Sequence, residues 1–235
     1  MADEEQLLAE LSALRKELNG GSCITQAHAD TLARELASAW KALRPRDSDE
    51  LLALVDGKGN RSGVVAPRWL CHLLALRHLS VSCMLTWQSK GLGECLVLQV
   101  RGFNKLDFTG YLGISMGGHV SGNDSVENTL LRELQEEMRV CPKDFAKPIQ
   151  SAGSVRDYLE LPEKHFFDCE LNALHFAALT DDGFNLIRFN DGEVTALYVC
   201  PIGEANALLQ QKTIPISDST RNLLRHYFEA MQGLR

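Results

Sequence analysis

Between Asp124 and Val140 the chain carries Val126, Leu130, Leu131 and Leu134 at helical spacing among many charges. The pattern predicts an amphipathic helix with one face buried. At about 100° per residue, Glu133 and Glu137 fall one turn apart on the same face, with Glu136 beside them. Three like charges so close repel one another, and a helix gains nothing from them by itself. A bound cation makes the arrangement favourable, and hard carboxylate oxygens suit Mg²⁺ or Mn²⁺. A bare ExxEE more commonly makes a solvated acidic face. Here, however, Gly117-Gly118-His119-Val120-Ser121-Gly122-Asn123 leads into the helix, and Arg132 stands next to the first glutamate. Glycines permit close backbone approach, and helix N-terminal amides favour a phosphate.

The rest of the chain must supply a core for that helix. Short apolar runs predict strands at 50–56, 79–87, 94–101, 165–180 and 194–200. Leu223, Leu224, Tyr227, Phe228 and Met231 predict a closing helix over 217–231, capped by Ser217 or Asp218. Strands mixed with helices imply an α/β (α+β) fold with a mixed sheet between helices. Ahead of it, Leu7, Leu8, Leu11, Leu14 and Leu18 form a helical stripe that stops at Asn19-Gly20-Gly21. Leu32, Leu36, Trp40 and Leu43 form a second, ended by Arg44-Pro45. Residues 1–44 therefore read as a helical hairpin preceding a main domain at 45–235. The hairpin either packs on that domain or serves as a docking surface, a candidate homodimer contact.

Charge and composition exclude some partners. A net charge of -7 argues against a broad basic surface for a nucleic acid polymer. It leaves room for a phosphorylated small molecule, since a divalent cation supplies positive charge locally. The seven cysteines are odd in number and form no CxxC, which suits buried reduced thiols in a cytoplasmic protein. No apolar run approaches the roughly 18 residues a membrane helix needs. The acidic start has no basic-then-apolar leader, so a soluble chain is expected.

From Gly118 onward the sequence resembles the Nudix box, G-x5-E-x7-R-E-U-x-E-E-x-G-U with U apolar. Gly118, Arg132, Glu133, Leu134, Glu136, Glu137 and Val140 fall in register. Asp124 stands where the first glutamate belongs, and Arg139 replaces the late glycine. The resemblance implies Mg²⁺ or Mn²⁺ held by Glu133, Glu136, Glu137 and the Gly118 carbonyl, and a small-molecule diphosphate attacked by activated water. Arg132 would orient a glutamate through an ion pair.

From Leu51 to Val140 the order of features is also similar to the isopentenyl-diphosphate isomerase-like branch of the Nudix proteins. Its opening strand and turn look like Leu54-Val55-Asp56 with Gly57 and Gly59. That resemblance implies diphosphate-holding roles for Arg68, Arg101 and Lys105, and a late acidic pair at Asp168 and Glu170, with Glu170 a candidate base beside Glu136 and Glu137. Glu193 is a weaker candidate. The isomerases carry two metal-binding histidines seven apart, whereas His72 and His78 are six apart. Where they use a cysteine in the loop, this chain has Gly117. The expected function is hydrolysis of a diphosphate linkage in a nucleoside-diphosphate derivative, prenyl diphosphate or related molecule. The alternatives are an isomerase-like enzyme and a non-catalytic binding or regulatory module.

Overall fold

The computed structural model describes residues 2–20, 24–44, 46–189, 192–210 and 213–233. The chain forms two compact units, each gathered from separate stretches. The first comprises Met1–Ser80, His119–Asp124 and Arg156–Leu171; the second comprises Val81–Gly118, Ser125–Val155 and Asn172–Arg235. The expected class is what the chain adopts: mixed α/β, with a sheet flanked by helices and a helical pair at the N-terminus. No helix among the described residues is long and apolar enough to cross a membrane.

The first unit opens with α1 (Ala2–Gly20) and α2 (Gln26–Leu43). The Thr25 side chain caps α2 by accepting from the His28 amide at 3.2 Å, which satisfies one of the orphan donors of its first turn. Gly21 and Pro45, on which the expected helix stops partly rest, lie outside the described residues. β1 (Leu51–Val55) pairs antiparallel with β2 (Arg61–Pro67), Leu52 opposite Ala66. The helix α3 (Arg68–Leu74) follows directly. The hairpin's Leu11, Ala29 and Leu32 are buried with Leu52, Leu70 and Leu74 in one apolar cluster. Trp40 stacks on Trp69 with ring centroids 4.8 Å apart. The hairpin thus contributes to the core of its own unit.

In the second unit the long strand β3 (His78–Ser89), from Val81 onward, pairs with β4 (Gly93–Arg101), Leu85 opposite Val97. β4 also pairs with β5 (Leu112–Gly113) and β9 (Val194–Pro201). Cys95 to Leu98 are fully buried, as an apolar run in a central strand should be. The helices are α4 (Val126–Met138), α5 (Asp181–Leu186), α6 (Ile202–Gln210) and α7 (Asp218–Gly233). Leu223, Leu224 and Tyr227 of α7 cluster with Met84, Leu96, Leu98 and Phe176. The short β6 (Met116–His119) carries the glycine loop. The paired strands β7 (Gln150–Leu161) and β8 (Phe166–Leu179) run through both units.

Candidate functional site

In the second unit α4 is started by Ser125, whose hydroxyl accepts from the Asn128 amide at 3.0 Å. Leu130, Leu134 and Met138 bury its apolar stripe, and Glu137 is buried with them at 1% exposure. The helix ends with Arg139 in the left-handed conformation (φ 63°, ψ 22°). This is the position of the box's missing glycine, and its backbone shows why glycine is preferred there.

Gly118 lies against the Glu133 carboxyl so closely that a Cβ there would fall 2.4 Å from Glu133 Cδ. Only a residue without a side chain admits this approach. Burial raises the Glu133 carboxyl to about 7; Arg132 opposes the shift, and Glu137 and Glu136 add to it. Arg132 pairs with Glu133 at 3.0 Å and Glu136 at 2.8 Å. Burial also raises Glu137, against the pull of Lys105. The Lys105 ammonium lies 3.0 Å from Glu137 Oε1 and also pairs with Glu193. Burial acts to lower Lys105, but the two carboxylates outweigh it and its pKa is raised. Glu137 Oε2 is buried with no hydrogen-bond partner. The Arg101 guanidinium donates to the Asp107 carbonyl through Nε (3.3 Å) and Nη2 (3.1 Å).

Gly118, Glu133, Glu136, Glu137, Arg132 and Lys105 are therefore one constellation. A hard divalent cation fits it: the oxygens are carboxylates, one is buried and unsatisfied, and an ammonium already sits on another.

The first unit holds a second constellation. His72, His78, His119 and Asp168 each offer a ligand atom, all within 4.8 Å of one another. His78 Nε2 is 3.4 Å from Asp168 Oδ1, and His119 Nε2 is 3.2 Å from Glu170 Oε1. His72 Nδ1 lies 3.1 Å from Asp47 Oδ2, and His78 Nδ1 lies 2.8 Å from the Leu76 carbonyl. With Nδ1 anchored in this way, each imidazole presents Nε2 to the cluster, the usual arrangement around a bound metal. Burial lowers His72 to about 4 and His78 to about 3, so both rings are neutral at pH 7. His72 Nε2, His78 Nε2 and Asp168 Oδ1 are buried without hydrogen-bond partners. Arg68 reaches Asp47 at 3.5 Å, and Glu170 accepts from Ser80 at 2.7 Å.

The six-residue spacing of His72 and His78 therefore does not keep them apart. α3 ends at Ala75 in a left-handed turn (φ 53°), and β3 begins at His78, which brings the two rings to 5.4 Å. His119, a member of this set, and Asp47, which anchors His72 from outside it, carry no signal for these roles in the sequence. Both come from afar along the chain, where no local spacing signals a ligand or its anchor.

Residues 76–223 match the NUDIX domain family. No match is found among curated proteins. Among solved structures, the protein DR0079 of Deinococcus radiodurans is 18% identical, with a TM-score of 0.56 over 75% of this chain and 98% of that one. The NUDIX domain of Shewanella oneidensis NrtR, solved with ADP ribose, is 19% identical, with a TM-score of 0.48 over 65% of this chain and 87% of that one. A MutT protein of Methanosarcina mazei is 19% identical, with a TM-score of 0.47 over 65% of this chain and 94% of that one.

Proposed function

The chain belongs to the Nudix domain family, and on that premise we propose that it is a Mg²⁺- or Mn²⁺-dependent hydrolase cleaving the diphosphate linkage of a small molecule. Nucleoside-diphosphate derivatives and prenyl diphosphates are the substrate classes in view, and residues 1–44 are a hairpin added to a Nudix domain at 45–235. The observation that carries the reading is the fit between Gly118 and the Glu133 carboxyl, beside the buried, unsatisfied Oε2 of Glu137.

Glu133, Glu136, Glu137 and the Gly118 carbonyl would hold the cation. Bound there, it supplies neutralisation of phosphate charge and a water of lowered pKa. Arg132 keeps Glu133 and Glu136 at fixed separation through its two ion pairs. Lys105 is poised to leave Glu137 for a phosphate oxygen, a charge-assisted exchange that costs it no ion pair. Arg101, anchored on the Asp107 carbonyl, supplies a second cation for the diphosphate. Glu136, with its side chain 54% exposed and one oxygen paired to Arg132, is the box carboxylate most open to water and the candidate base within the box. Glu170, the other candidate base, is engaged with Ser80 and His119.

The test is turnover of a diphosphate panel with Mg²⁺ by Glu133→Gln and Glu137→Gln. Both should lose metal affinity and most of kcat while staying folded. Unchanged kcat in both would remove the assignment.

A second reading, an isomerase-like activity, is favoured by one observation, the meeting of His72, His78, His119 and Asp168. Gly117, with no side chain, offers no acid or base where that chemistry needs one. Incorporation of solvent deuterium into isopentenyl diphosphate without phosphate release would select it over hydrolysis.

A further inference from the structure

The first unit contains a cavity of about 530 Å³, within the range of small-molecule sites. Its walls come from α1, through Arg15 and Lys16, from Arg77, and from β7 and β8, through Arg156, Tyr158 and Phe167. Side chains alternate across a strand. Arg156, Tyr158 and Glu160 therefore share one face of β7 and are exposed, while Asp157 between them is buried. On β8, Phe167 packs under the Arg15 guanidinium, which lies 3.7 Å from its ring centroid. Glu170 borders the cavity, but its carboxylate is committed to Ser80 and His119.

Four cations thus share the cavity lining with three carboxylates: Glu170, committed as above, the buried Asp157, and Glu160, which accepts a hydrogen bond from the Tyr158 hydroxyl at 3.1 Å. Cations outnumber carboxylates in this lining although the chain as a whole has a net charge of -7. Two of the guanidinium groups are held in place by backbone carbonyls: Arg15 donates to Leu73 at 3.1 Å, and Arg156 donates to Gly57. Such bonds fix geometry without cancelling charge. Fixed guanidinium forks beside a lysine match phosphate oxygens. Tyr158, 55% exposed, adds a ring face of the kind on which a nucleobase stacks.

We propose that this cavity is a nucleotide-binding site, with the phosphates on Lys16, Arg77 and Arg156 and the base against Tyr158. None of its described lining residues belongs to the acid helix, and Glu170, the one candidate base it borders, is committed to Ser80 and His119, so the nucleotide is held here rather than cleaved, and the inference does not rest on the acid helix.

The test is calorimetric titration of the full chain with ADP, adenosine and inorganic diphosphate in EDTA, which takes metal-dependent binding out of the comparison. ADP should bind saturably at one site, and more tightly than adenosine or diphosphate alone. Lys16→Glu and Arg156→Glu, both at exposed positions, should each weaken ADP by about tenfold, the loss of one charge-assisted hydrogen bond. Tyr158→Ala should weaken ADP and leave diphosphate unchanged. Glu137→Gln should bind ADP like the unaltered chain even as hydrolysis is lost, which separates failure of this site from failure of the other. The proposal is overturned by absence of saturable ADP binding in EDTA, by undiminished binding in the Lys16→Glu/Arg156→Glu double variant, or by diphosphate binding as tightly as ADP.

Discussion

Substituting Gly118 by alanine is the sharpest probe of the acid site, because its steric consequence can be worked out atom by atom. The new Cβ would lie 2.4 Å from Glu133 Cδ and 2.5 Å from Glu133 Oε1, where ordinary contact begins near 3.4 Å. The carboxyl must therefore recede by about 1 Å. The atoms in the way are the far end of a flexible side chain, so the fold gives locally. The cost in stability should sit at the low end of the overpacking range, about 1 kcal/mol, which for a chain of this size is roughly 2–4 °C in Tm. Catalysis should suffer far more. A displacement of about 1 Å in a positioned group costs on the order of 100-fold in rate, and here it also disturbs the 3.0 Å pair with Arg132. Thermal unfolding and phosphate release under saturating Mg²⁺ measure the two effects on one protein. A kcat within about twofold of the unaltered chain would refute the reasoning, since Glu133 would then not need the position that Gly118 permits. A collapse of Tm would refute the steric part, by showing that the carboxyl cannot swing aside.

Two further outcomes follow from the same helix. Arg139 at φ 63° holds a conformation that costs a side-chain-bearing residue about 1 kcal/mol or more, so Arg139→Gly should stabilise the fold by about 0.5–1 kcal/mol after the entropy of the unfolded chain is charged against it. Chemical denaturation checks it, and a lower midpoint would show that the Arg139 side chain contributes more than its backbone costs. Lys105→Met leaves Glu137, its side chain 2% exposed, without its cation; breaking a buried pair costs about 3–5 kcal/mol, and the partial exposure of Lys105 places this one near the lower figure. Saturating Mg²⁺ should raise Tm more in Lys105→Met than in the unaltered chain, and equal shifts would place the metal elsewhere.

What could be read from the sequence divides along a physical line. Periodicity located α1, α2, α4 and α7, because each buries a stripe and leaves the rest to solvent. β3, β4, β8 and β9 were legible as apolar runs. α3 was missed because all of Trp69 to Leu74 is buried and shows no stripe. β7 was missed because most of its residues are exposed, with Gly153 at φ 88° within it. The acid site was legible for a related reason: Glu133, Glu136 and Glu137 lie within two helical turns, so linear spacing reports spatial spacing. The ion pairs of Lys105 with Glu137 and Glu193, which join it to that site, carry no such local signal, because the three positions are far apart along the chain. The histidine cluster has no such economy. Its ligand atoms come from positions 72, 78, 119 and 168, and Asp47 fixes the tautomer of His72 from outside the set. No local pattern can encode a site assembled from α3, β3, the glycine loop and β8. What marks it is the three-dimensional conjunction of two buried neutral imidazoles, each with Nδ1 bonded away and Nε2 left facing a carboxylate. Buried polar atoms ordinarily find partners, so three unpartnered ones converging within one metal-sized space mark the cluster as a candidate metal site.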